Sequence, residues 1–135
     1  EEARQIENLD SVKAVYPNIE VSISLFDSVP LIDADDAWNL GYTGKNVTMG
    51  VIDTGVDYTH ADLGNCTNTS NINYGSCGKV IGGYDFVNKD NNPMDDHGHG
   101  THVAATAAGN EILKGVAPDA KIVAYKVLNS GGSGW

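Results

Sequence analysis

The apolar positions of the chain fall into short runs of differing period, separated by polar and glycine-rich stretches. Val21, Ile23 and Leu25 alternate with Ser22 and Ser24, the period of a strand with one covered face. Val47–Ile52, Val80–Val87 and Lys121–Val127 are short apolar runs rich in β-branched residues, and each predicts a strand. Between the last two, Val103, Ala104, Ala107 and Ala108 recur as one face of a helix does, predicting a buried helix from about His99 to Ala108. A shorter helix is predicted over Asp33–Gly41, with Asp33 as candidate N-cap, acids in the first turn and Gly41 just past the end. Strand and helix alternate after residue 47, so the pattern predicts an α/β protein with parallel βαβ units.

Composition narrows the picture. At 135 residues the chain is one domain or less, and 41 % apolar residues suffice for a core. A formal net charge of −10 argues against nucleic acid or an anionic membrane as a partner. No apolar run approaches the length of a membrane-spanning helix. The chain opens on Glu1-Glu2 and stops just past a Gly/Ser run, which reads as a segment of a longer, secreted precursor. Cys66 and Cys77 are the only cysteines and flank a polar loop, a spacing that suggests a disulfide formed in an oxidising compartment. Three acceptor triplets for N-glycosylation, at Asn46, Asn65 and Asn68, are compatible with export.

The densest chemistry lies in Asp95-Asp96-His97-Gly98-His99-Gly100-Thr101-His102, where three histidines and two aspartates fall within eight residues. Glycines on both sides of His99 let the backbone turn sharply and keep the imidazole uncrowded. Taken alone, the cluster has three readings: a turn with solvated histidines, a transition-metal site, or a histidine general base at the start of a helix. A second position bears on the choice. Asp53 follows the apolar run Val47–Ile52 and precedes a glycine turn, so it lies at the carboxyl end of a strand, where open α/β sheets build their sites. Such an Asp can also simply open a turn. Asp53-Thr54-Gly55 further matches the signature of aspartic proteases, but those are all-β proteins, and the alternating pattern here does not fit them.

Four motifs occur in order: Val51-Ile52-Asp53-Thr54-Gly55-Val56-Asp57 with His60-Ala61-Asp62-Leu63 behind it, His99-Gly100-Thr101-His102-Val103-Ala104, Gly115-Val116-Ala117-Pro118-Asp119-Ala120, and Tyr125-Lys126-Val127-Leu128. Together they resemble the subtilisin-like serine peptidases over roughly Ser28 to Trp135. The resemblance implies an α/β, three-layer subtilisin-like fold with a mostly parallel sheet, present only in part. Residues 28–135 would be the N-terminal part of the catalytic domain, and residues 1–27 the C-terminal remnant of an inhibitory propeptide. The join is expected within Leu25–Val29, because Ser28-Val29-Pro30 resembles a mature start.

The same resemblance makes Asp53 and His99 the aspartate and histidine of a Ser-His-Asp triad, His102 a packed structural histidine and His97 a solvated one. Gly132, Ser133 and Gly134 match the family's substrate-binding edge strand, which pairs main chain to main chain with an extended peptide. Asp85, Asn88, Asp90 and Asn92 offer oxygen ligands in a loop similar to a calcium-binding loop of thermostable members, which leaves two readings, a structural Ca²⁺ site or a solvated Asn/Asp turn. Asp62 matches another calcium ligand, although its partner loop, 108–114, is shorter than that site requires. The family's nucleophilic serine, in a Gly-Thr-Ser segment, and its oxyanion-hole asparagine are absent from these residues. The expected function is serine endopeptidase, with this stretch inactive alone, protein or peptide as substrate and the propeptide as intramolecular inhibitor. The alternative is a non-catalytic pseudo-protease or binding module that keeps the fold.

Overall fold

Each short strand predicted from an apolar run forms, and the structure shows how they are joined. In this computed structural model, residues 11–12, 25–67 and 77–134 are described. The alternating stretch at 21–24 and the Asn68 acceptor site lie outside them. Leu25, expected to close a strand, instead opens a helix, α1 (Leu25–Leu31). Val29 anchors that helix: it is buried with Ala34, and Trp38 and Leu113 pack against the pair. Thus α1 runs through the window in which the sequence places the processing join.

Helix α2 (Ala34–Asn39) is the predicted acidic helix. Asp33 stands at its N-cap but makes no capping hydrogen bond, contrary to expectation. Its φ of 55° is left-handed, as the tight turn from α1 demands, whereas a capping side chain needs an extended backbone. The other end stops as predicted. Gly41, at φ 89°, donates to the Trp38 carbonyl at 2.8 Å, and Tyr42 donates to that of Ala37 at 2.9 Å, the pair of bonds of a Schellman motif. Trp38 Nε1 donates to the Val116 carbonyl at 2.9 Å and so fastens α2 to the loop ahead of the last strand.

The strands β1 (Thr48–Asp53), β2 (Val80–Asp85) and β3 (Lys121–Lys126) form a parallel sheet in the order β1-β3-β2. Registers bring Asp53 level with Lys126 on one side of β3 and Asp85 level with it on the other. Helix α3 (His99–Ala108) links β2 to β3 and packs on β1. Its contact face is Gly100, Ala104 and Ala108, all buried, and such small residues let the helix axis come close to the sheet. The core between them holds Val51, Val56, Leu63, Val80, Ile122 and Ala124. On β1 only one face is covered among the described residues: Val51 is buried and Ile52 is 69 % exposed.

Cys66 and Cys77 form a disulfide, with Cα atoms 5.6 Å apart, and both lie in the core cluster. The described part of the chain is therefore an α/β unit with a parallel sheet, as the sequence pattern predicts.

Candidate active site

The site forms where β1 ends and α3 begins. Asp53 is the last residue of β1, and its carboxylate Oδ1 accepts hydrogen bonds from Thr54 N–H and from His99 Nδ1, both at 2.7 Å. His99 is the first residue of α3, delivered by Gly98 at φ 98°. The next residue, Gly100, lies flush against Gly55, where a Cβ would collide with the Gly55 carbonyl oxygen and come within 3.1 Å of Asp53 Cβ. Glycine at position 100 is thus what allows imidazole and carboxylate to meet. The Asp53 side chain is 12 % exposed and that of His99 58 %. Pairing through Nδ1 leaves Nε2 for a partner from outside the pair. Burial works to raise the Asp53 carboxyl, but hydrogen bonds from His99 and from the Thr54 backbone outweigh it and hold the group below its ordinary value.

A second carboxylate, Asp95, holds this arrangement together. Its Oδ1 accepts from Thr54 Oγ1 at 2.8 Å, from His97 N–H at 3.0 Å and from Gly98 N–H at 2.9 Å. Its Oδ2 accepts from Thr101 N–H at 2.9 Å and from Thr101 Oγ1 at 2.5 Å. Thr54 Oγ1 in turn accepts from Gly100 N–H, and Thr101 Oγ1 from Asp57 N–H, both at 2.9 Å. One side chain thereby ties the exit of β1 to the first turn of α3. Burial again opposes ionisation, but the Thr101 hydroxyl and the Gly98, His97 and Thr101 amides hold the Asp95 carboxyl far below the usual carboxylate range. Sequence reasoning saw Asp95 only as one acid of the cluster. The signal available was its place ahead of a glycine turn and a threonine two residues beyond His99.

The other histidines do not join the pair. His97 is exposed, as expected, with its ring centroid 6.4 Å from that of His99 and its Nε2 3.4 Å from where a Cβ on Gly132 would sit. His102, expected to be packed, is exposed. It lies two residues on from Gly100, about 200° round the helix from the buried Gly100-Ala104-Ala108 face. Among the described residues no group of three or more His, Cys, Asp or Glu side chains is placed to hold a metal ion.

The stretch read as a substrate-binding edge has a turned conformation. Asn129 N–H donates to the Ser133 carbonyl at 2.8 Å, and Gly132 N–H donates to the Asn129 carbonyl at 2.9 Å. The Asn129 side-chain oxygen accepts from Ser133 N–H at 3.2 Å. Gly132, Ser133 and Gly134 are exposed rather than paired in a strand, and Ser133 and Gly134 line a groove of about 390 Å³ with Phe86, Val87, Lys89 and Val127.

The loop read as a calcium site is closed by its own donors. Asp85 is buried, and its carboxylate accepts from Val87 N–H, Asn88 N–H and Asn88 Nδ2 at 2.7–2.8 Å. Asp90 Oδ1 accepts from Asn92 N–H, and Asn92 Oδ1 from the Tyr58 hydroxyl. A cation would have to displace these donors, so the four side chains as arranged do not fit one. Asp62 is similarly engaged: its Oδ1 accepts from the Glu111, Ile112 and Leu113 amides. The short 108–114 loop folds directly onto that carboxylate.

The profile of the subtilase family matches residues 44–135. The minor extracellular protease Vpr of Bacillus subtilis is 46 % identical over 149 aligned residues, covering 91 % of this chain and 17 % of that protein. Subtilisin DY of Bacillus licheniformis is 43 % identical, over 78 % of this chain and 34 % of its own length. Thermitase of Thermoactinomyces vulgaris is 38 % identical, over 76 % and 33 %. The chain belongs to the subtilase family. It spans about a sixth to a third of the length of these relatives.

Proposed function

We propose that these residues are the Asp- and His-bearing part of a serine endopeptidase. The observation that carries the reading is the 2.7 Å contact between Asp53 Oδ1 and His99 Nδ1, made by a largely buried carboxylate and an exposed imidazole. In such a pair the carboxylate fixes the tautomer, keeping the proton on Nδ1 and leaving Nε2 basic. Nε2 then takes the proton of a serine hydroxyl as that oxygen attacks the peptide carbonyl, and afterwards delivers it to the departing amine. Asp53 stabilises the imidazolium between those steps without becoming protonated. The depressed carboxyl of Asp53 suits that role. Calcium takes no part in these steps.

On this reading the serine and the oxyanion-hole asparagine would be supplied from outside these 135 residues, and the stretch alone is expected to be inactive. Gly132-Ser133-Gly134 would serve as the edge that pairs with an extended peptide. Residues 1–27 are assigned to an inhibitory propeptide. Secretion is supported by the Cys66–Cys77 disulfide and by the resemblance to one relative named as extracellular.

The test is hydrolysis of denatured protein and peptide amides by the matured full-length product, in the presence of class-specific inhibitors. Loss of activity with phenylmethylsulfonyl fluoride and none with pepstatin is the expected result. Sensitivity to pepstatin alone would return Asp53-Thr54-Gly55 to an aspartic-protease reading.

A further inference from the structure

A buried lysine stands beside the site and has no place in the chemistry above. Lys126, the last residue of β3, is 1 % exposed. Its Nζ donates to the Thr54 carbonyl at 2.6 Å, to Asp96 Oδ1 at 2.5 Å and to the Leu128 carbonyl at 3.1 Å. A lysine ammonium has three N–H donors, and here each goes to a different segment. Thr54 directly follows Asp53. Asp96 lies three residues ahead of His99. Leu128 precedes Asn129, whose backbone and side chain hold Gly132 and Ser133.

We propose that Lys126 is a positioning residue, which sets Asp53, His99 and the Gly132–Gly134 edge in one fixed arrangement. The proposal rests on the endopeptidase reading and deepens it. The backbone on either side of the lysine reinforces the same junction, because Val127 N–H and Leu128 N–H both donate to the Asp53 carbonyl, at 2.9 and 3.1 Å. Asp53 is therefore held by two amides of the β3 exit, and the residue after it by the β3 lysine. Stability alone is a poor reason for such a group: desolvating an amine is costly, and a buried ion pair is often no more stabilising than an apolar side chain of similar volume. What an apolar side chain cannot do is bridge three acceptors from three segments. A displacement of about 1 Å between reacting groups can cost on the order of a hundredfold in rate, so this bridge bears on turnover.

The experiment compares wild type, Lys126→Met and Asp96→Ala in the matured full-length product. Active sites are first counted by fluorophosphonate burst. Then kcat and KM are measured per titrated site, on peptide amides with one and with four residues before the scissile bond. Asp96 is half exposed, and Asp96→Ala removes one anchor while the Thr54 and Leu128 carbonyls keep theirs.

The expected result for Lys126→Met is a kcat/KM about tenfold or more below wild type on the longer substrate. KM should rise with it, and the advantage of the longer substrate over the shorter should shrink. Asp96→Ala should change both parameters in the same direction by less. A lysine that only stabilises the fold would lower the melting temperature and leave per-site kcat, KM and length dependence at wild-type values, and that result overturns the proposal. If Lys126→Met does not fold, Asp96→Ala decides: wild-type values on both substrates overturn the proposal. A wild-type protein with no titratable sites would instead strike at the endopeptidase reading.

Discussion

Asp53 and Asp95 lie close together in the site and do different work. Asp53 faces the imidazole, whereas Asp95 faces only hydroxyls and amides of the surrounding backbone. Because the folded protein holds the Asp95 carboxyl below its ordinary value, the ionised form binds its donors and stabilises the fold. That contribution is complete above the unfolded value near pH 4 and is lost as the pH falls through it towards the folded value. Asp95→Asn should therefore melt lower than wild type at pH 7, with the gap narrowing between about pH 4 and pH 2. Parallel melting curves across that range would contradict the assignment. At this scale the Asp53–His99 pairing was legible in the sequence, since both sit in motifs that determine their place on a strand end and a helix start. The Asp95 network was not, because it depends on how a glycine turn aims amides that carry no side-chain pattern. His102 misled because the family resemblance implied a packed position, whereas the buried stripe of α3 runs through Gly100, Ala104 and Ala108.

The elements followed the hydrophobic period closely. α3 and the three strands form where the pattern places them, and Gly41 ends α2 through its left-handed backbone. The exceptions are places where tertiary context decided. Leu25 joins a helix because Val29 finds a buried seat, and Asp33 turns left-handed because α1 and α2 meet at a tight corner. Periodicity alone registers neither. How α3 approaches β1 is the element-level fact on which the site depends, and Gly100 tests it. Gly100→Ala pushes a methyl into the Gly55 carbonyl, with an expected loss of about 1–3 kcal/mol and slower chemistry at His99. Gly78→Ala is the control, since among the described residues a Cβ there meets nothing within 4 Å. Denaturant unfolding and fluorophosphonate labelling rates of both variants check this. Equal effects at the two glycines would show that the close helix–strand contact does not matter.

Across the molecule, the Cys66–Cys77 bridge ties the segment after the Ala61–Leu63 turn to the entrance of β2, and both sulfurs sit in the core. Reducing it in the full-length product should cost about 3 kcal/mol, the loop-closure entropy of a span of this size, read as a shift in denaturant midpoint with dithiothreitol. An unchanged midpoint would mean that the fold does not depend on the bridge. The central claim is that Asp53 and His99 act together on a serine. Fluorophosphonate labelling of the matured full-length product, beside Asp53→Asn and His99→Ala, tests it most directly. The account predicts that wild type labels and that both variants label slower by about a hundredfold or more, the usual worth of a positioned general base. A wild type that never labels, or variants that label at the wild-type rate, would contradict it and leave a non-catalytic module that merely keeps the fold.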